Sequence, residues 1–152
     1  MQHPRAFACP GNPARLNGAA AMSYLWIFIG GGIGSVARYA GSGMVARLIG
    51  ETFPWGTLFV NVSGSLAIGF FAALTDVDGR LLVGPGVRQF VMLGILGGYT
   101  TFSSFSYQTL ELVRDGEWLR AGGNAALSFL LCMVAVWLGH VLAAALNSIR
   151  GI

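Results

Sequence analysis

Lysine is absent from this chain, and its positive charge rests on arginine alone, nine basic residues against six Asp and Glu in 152. The arginines gather into no run and onto no single helix face, which excludes a nucleic-acid or lipid-headgroup patch. Charged residues are scarce altogether, 10% of the chain against 55% hydrophobic. With a mean hydropathy of +0.67, that composition excludes a soluble domain of this size. The cysteines are Cys9, near the start, and Cys132, in the last apolar run. They suggest neither a disulfide framework nor a metal site. The apolar runs hold no carboxylate pair, no nucleophile–base pair and no metal-spaced cluster. An intramembrane enzyme is therefore the least favoured class. A coupled exporter that trades protons for cations wants a carboxylate deep in a span, and Glu111, the one within the spans, lies near a helix end. Strand-like alternation is missing as well.

What is present is four apolar spans, at 24–49, 55–75, 89–113 and 118–146. Each approaches or exceeds the roughly 20 residues a spanning helix needs. Residues 51–54 make a short connector, and Pro54 suits the first turn of the second helix. Residues 76–88 form a polar loop with Gly79, Gly84, Pro85 and Gly86 as breakers, and 114–117 a tight polar turn. Trp26, Trp55, Trp118 and Tyr24 stand near span ends, where aromatic anchors are expected. Residues 1–21 are polar and carry Pro, Gly and Arg. They lack the apolar core of a signal peptide. They are expected to be a disordered leader or an extension from an upstream start, since Met22 directly precedes the first apolar run. The fold class is an all-α membrane protein, with one four-helix transmembrane domain over 22–152.

After Met22, one side of the bundle carries Arg80, Arg88 and Arg150, and the other Arg47, Arg114 and Arg120. Three against three gives the positive-inside rule nothing to act on. Either Arg5 and Arg15 in the leader tip the balance, or the chain inserts both ways and allows antiparallel homodimers. Four short helices are also a small body for enclosing a polar path, which favours oligomerisation.

The third span is wrong for a plain membrane helix. Gly97-Gly98 and Thr100-Thr101 lower helix propensity at one spot. In hydrocarbon, non-helical backbone is tolerated only where protein buries it or it lines a cavity. The stretch therefore reads as a broken helix whose exposed backbone and side chains handle an ion. Phe102 and Phe105 share a helix face; their positive ring edges suit a small anion, although such a pair also serves as core. Arg38 is the one charged residue deep in a span, where a charge costs about 2.5–3.5 kcal/mol or more. It either serves an anionic substrate or snorkels to an interface. Asn61 offers donors and an acceptor mid-span, for a pathway or for an ordinary interhelical bond. Asn124, Ser128 and Cys132 follow one another at four-residue steps, a thin polar stripe that serves packing or pathway. His140 stands alone in an apolar run and is read as packing or snorkelling. Gly30 to Gly34 is no nucleotide loop, since no strand precedes it; Gly30 and Gly34 make a small-residue face for close helix approach.

Taken together, Gly30 to Arg38-Tyr39, then Phe53-Pro54-Trp55-Gly56-Thr57-Leu58 with Asn61-Val62-Ser63-Gly64, and Gly97-Gly98-Tyr99-Thr100-Thr101-Phe102-Ser103-Ser104-Phe105-Ser106 form a pattern. It resembles the CrcB/Fluc family of fluoride channels over about residues 24–146. The resemblance implies an antiparallel dual-topology homodimer with two fluoride pores and a structural sodium ion at its centre. The sodium would be bound by backbone carbonyls at Gly97 and Thr100. The family's pore positions match Asn61, Phe102 and Phe105, and its polar track matches Ser128, with Asn124 and Cys132 flanking it; Ser106 is read as a further hydroxyl donor along the pore. Its vestibule arginine matches Arg38. Asn124 stands where some members have tyrosine, Cys132 where a hydroxyl occurs, and Gln108 where many have glutamate. The implied function is passive, fluoride-selective export through a bacterial inner membrane, lowering cytoplasmic fluoride, with no enzyme activity. The alternatives are a gradient-coupled small-ion or multidrug transporter of dual topology, and a non-conducting scaffold.

Overall fold

The computed structural model describes residues 18–148. The expected leader falls outside them up to residue 17, as does Arg150. α1 spans Gly18–Ile49, so helix begins ahead of Met22 and takes in the last residues of the polar leader segment. It ends where Gly50 turns left-handed at φ 96°, with its N–H on the Ala46 carbonyl at 2.8 Å. Glycine takes that conformation without a side-chain clash. α2 spans Trp55–Leu74. Pro54 sits one place ahead of its expected position, at the N-cap, and its carbonyl accepts from Leu58 at 3.0 Å.

The third apolar stretch is assembled from pieces. α3, Pro85–Arg88, begins four residues earlier than expected because Pro85 takes the first helical place. Then comes a π-helical segment over Gln89–Leu96, closed where the Gly97 N–H reaches the Met92 carbonyl five residues back. α4 is the single turn Gly97–Tyr99. Thr100 and Thr101 are extended, and α5 runs Phe102–Arg114. Gly116 at φ 79° makes the turn into α6, Trp118–Ser148. Among the described residues there is no strand. Three helices, Ala20–Ile49, Trp55–Leu74 and Trp118–Ser148, are long and apolar enough to cross a membrane.

Glycine sets how closely these rods approach. α2 lies along α6, with a Cβ at Gly69 blocked by the Val136 carbonyl and one at Gly139 by that of Leu66. α1 lies on the π-helical segment through the face noted in the sequence. A Cβ at Gly30 would come 2.7 Å from the Phe90 carbonyl, and one at Gly34 would meet that of Ile95. Burial is inverted relative to a soluble protein. Large apolar side chains such as Phe28 face outward, whereas Asn124 is 2% exposed and Ser128 and Thr101 are 8%. At the far end, Arg88 donates to the Thr75 carbonyl at 2.7 Å and Asn147 to that of Ala73 at 3.1 Å, pinning the 76–88 loop.

Candidate functional site

The site is built around the two extended residues. Thr101, at φ −152° and ψ 117°, turns its N–H and C=O outward instead of along a helix. Asn61 from α2 takes both: its Oδ1 accepts from the Thr101 N–H at 2.7 Å, and its Nδ2 donates to the Thr101 carbonyl at 2.9 Å. An amide side chain matches a peptide group in both directions, which an ionised carboxylate, an acceptor only, cannot do. The Thr101 hydroxyl then caps α5 by accepting from the Ser104 N–H at 3.2 Å. Gly64 leaves room for the Thr100 methyl, and the Tyr99 hydroxyl meets that of Ser63 at 3.0 Å.

These bonds change what the backbone offers. In a continuous helix the Thr101 N–H would turn to the Gly97 carbonyl, and the Ser104 N–H to that of Thr100. Asn61 and the Thr101 hydroxyl divert both donors. Two carbonyls thus lose their helical partners within one turn, and Arg38 Nη1 approaches that of Thr100 at 3.4 Å. Carbonyl oxygens suit a hard cation, which takes six or more oxygens in known sites of this kind. The two carbonyls fit such an ion in chemistry, though they fall short of that number of ligands. Among the described residues, no His, Cys, Asp and Glu cluster could hold a metal.

Beside the interruption lies a cavity of about 360 Å³. It brings together Asn61, Gly97, Thr100, Phe102, Phe105 and Ser128, with Ser65 and Cys132 also on its wall. The Phe102 and Phe105 rings stand 5.3 Å apart, tilted by 46°. Arg38, Ser106 and Asn124 are not among its lining residues. Arg38 reaches Thr100 from α1; Ser106 donates its proton to the Phe102 carbonyl at 2.9 Å. Asn124 stands behind the wall, donating to the Thr109 hydroxyl at 2.8 Å and accepting from Ser128 at 3.4 Å. Gln108 Oε1 is buried without a hydrogen-bond partner. The sequence reading missed Thr101 as a cap and Thr109 altogether. A Thr with Ser three residues on, at a break, is a signal that could have found the cap.

An all-helical, multi-pass membrane protein with interrupted backbone beside a largely apolar cavity that a few polar groups enter is the class that fold and site define. A family profile described as "CrcB-like protein, Camphor Resistance (CrcB)" matches residues 25–140, and the chain belongs to that family. It is 65% identical over 128 residues to a protein of Opitutus terrae named fluoride-specific ion channel FluC, covering 84% of this chain and 97% of that one. A protein of the same name from Methylocella silvestris is 58% identical over 130 residues, covering 86% and 99%. The one from Rhodospirillum rubrum is 53% identical over 126 residues, covering 83% and 98%.

Proposed function

We propose that the chain is a fluoride-selective channel that lets fluoride leave the bacterial cytoplasm passively across the inner membrane. The observation that carries this is the cavity in which the paired rings of Phe102 and Phe105 meet the Asn61 amide and the Ser128 hydroxyl. Relatives named fluoride-specific ion channels, at 53–65% identity over most of the chain, point to the same ion. Fluoride is small and strongly hydrated, so shedding its water requires donors along the way. Positive ring edges, the Asn61 N–H not spent on Thr101, and a hydroxyl are weak, distributed donors. A conducting path wants that balance, attractive enough to enter and weak enough to leave. Arg38 would gather anions at the mouth. Ser106 and Asn124 belong to the polar surroundings of the path, Ser106 beside Phe102 and Asn124 behind Ser128. No chemistry of bond making is called for, and the reading is not that of an enzyme.

The working unit in this reading is an antiparallel, dual-topology homodimer with two pores. Its support is α5, whose Ser103, Ser106, Tyr107 and Glu111 are exposed in one chain. In hydrocarbon such a face is costly unless a second protein surface covers it. The interrupted third stretch is then a broken membrane helix. The carbonyls of Gly97 and Thr100 would hold a structural sodium ion, the second copy supplying the remaining oxygens. When bound, that ion would offset the negative ends of the carbonyl dipoles that hold it.

The test is fluoride efflux from proteoliposomes, with chloride as comparison and without a proton or sodium gradient. Phe105→Ile should abolish efflux by replacing a ring edge with methyls. Asn61→Asp should do the same by setting an acceptor against the Thr101 carbonyl. Both should run as dimers on size exclusion. Undiminished efflux in both variants would remove the pore assignment, and dependence on a gradient would favour a coupled transporter.

A further inference from the structure

Resting on the fluoride reading, we infer that Thr109, which does not line the cavity, is a positioning residue that sets the direction of the Ser128 hydroxyl. The Thr109 hydroxyl gives its proton to the Phe105 carbonyl at 2.7 Å. Its oxygen is thereby left as an acceptor, and Asn124 Nδ2 donates to it at 2.8 Å. Asn124 is 2% exposed, so no water is at hand to offer its amide an alternative. With Nδ2 fixed on Thr109, Oδ1 must face Ser128, whose hydroxyl donates to it across 3.4 Å.

That last bond is long and therefore weak. A fluoride in the cavity draws the Ser128 O–H round to donate to it by rotation of one hydroxyl, because charge-assisted hydrogen bonds are about twice as strong as neutral ones. When the anion moves on, the hydroxyl turns back to donate to Asn124 Oδ1. Ser128 is thus a donor on demand, and Thr109 decides that it is one. Without the Thr109 hydroxyl, the buried Asn124 amide turns over to find an acceptor at Ser128 Oγ. Ser128 then accepts from Asn124, and its own proton points into the cavity permanently. Such a wall holds fluoride harder and releases it more slowly. The sequence pattern conceals this, since Thr109 and Asn124 lie 15 residues apart on different helices.

The experiment measures fluoride flux against fluoride concentration in proteoliposomes for the wild type, Thr109→Val and Thr109→Ser, each alone and on a Ser128→Ala background. Thr109→Val is nearly isosteric and should lower maximal flux about tenfold while the half-saturating concentration also falls severalfold. Thr109→Ser, which keeps the hydroxyl, should restore both to within about twofold. On the Ser128→Ala background the Thr109→Val effect should vanish, because no hydroxyl remains to be oriented. Flux that falls with an unchanged half-saturating concentration overturns the inference, as does an effect of equal size on the Ser128→Ala background, or no effect at all. Should Thr109→Val not fold, Asn124→Leu removes the Ser128 acceptor directly and is held to the same outcomes. A wild type that carries no fluoride would instead refute the function on which the inference rests.

Discussion

The α2–α6 pair and the third apolar stretch solve the same membrane problem in opposite ways. In α2 and α6 the backbone is satisfied within each helix, and glycine lets one helix press on the carbonyls of the other, at Gly69 on Val136 and Gly139 on Leu66. In the third stretch the backbone is interrupted, and side chains from elsewhere complete it: Asn61 on Thr101 and Arg38 toward Thr100. The first arrangement leaves the interior backbone of its helices nothing to offer a ligand, and contributes to the cavity only side chains, Asn61 and Ser65 from α2 and Ser128 from α6. The second has two carbonyls relieved of their helical donors, one by the Asn61 amide on the neighbouring α2 and one by the Thr101 hydroxyl. Polar function in this bundle therefore gathers along one seam, and its geometry depends on a frame whose backbone stays closed while a few of its side chains reach into that seam.

Breaking the frame should have the largest effect. Gly139→Val drives a Cβ into the Leu66 carbonyl, a backbone atom that cannot swing aside. Overpacking ordinarily costs about 1–3 kcal/mol and more where the obstacle is rigid. The expected outcome is loss of monodisperse protein on size exclusion, with Asn61 carried away from Thr101 as α2 shifts. Gly122→Ala on the same helix meets nothing within 4 Å. It should leave the elution profile and melting temperature unchanged or slightly improved, as Ala favours helix by up to about 1 kcal/mol over Gly. Equal behaviour of the two variants would mean that α2 and α6 are not held by this close approach.

A lesion inside the seam should be milder and local. Thr101→Val keeps the backbone bonds to Asn61 but removes the hydroxyl that caps α5 at Ser104. Losing a cap costs about 1 kcal/mol. Melting should fall by a few degrees and fluoride flux by roughly fivefold, a factor matching about 1 kcal/mol, while Thr101→Ser should match the wild type in both. An unchanged flux in Thr101→Val would show that the start of α5 holds its place without the cap.

What could be read from the sequence was what depends on neighbours along the chain. The ends of α2 and α6 follow from apolar runs bounded by Pro54, the 76–88 loop and Gly116, and the face of α1 that meets the π-helical segment follows from Gly30 and Gly34. The early start of α1 escaped because Gly18 to Ala21 are neither apolar enough nor charged enough to mark a boundary. The π-helical winding of Gln89–Leu96 escaped for a different reason. One extra residue in a turn is decided by the packing of Gly94 on Gly30, not by the composition of the turn. Individual polar residues were visible, but their partners were not. Asn61 finds Thr101 across 40 residues and Asn124 finds Thr109 across 15. No periodicity in the sequence records which of several hydroxyls an amide will choose.

The smallest effect belongs to an exposed charge at the start of α6. Arg120, in the first turn of α6, lies 3.4 Å from Glu117, with about half of each side chain exposed. An exposed pair of this kind contributes about 0–1 kcal/mol and is screened by salt. A cation near a helix N-terminus also opposes the helix dipole, which offsets part of that gain. Arg120→Gln should accordingly shift the melting temperature by less than about 1 °C and leave fluoride flux within about twofold, with no added dependence on ionic strength. Arg38 is the same residue type in the opposite setting, half-buried mid-helix and directed at the Thr100 carbonyl. If Arg120→Gln altered flux as strongly as a substitution at Arg38, the anion would be responding to the overall field of the protein. The contrast between an inert frame and a polar seam would then fail for charge, though not for hydrogen bonding.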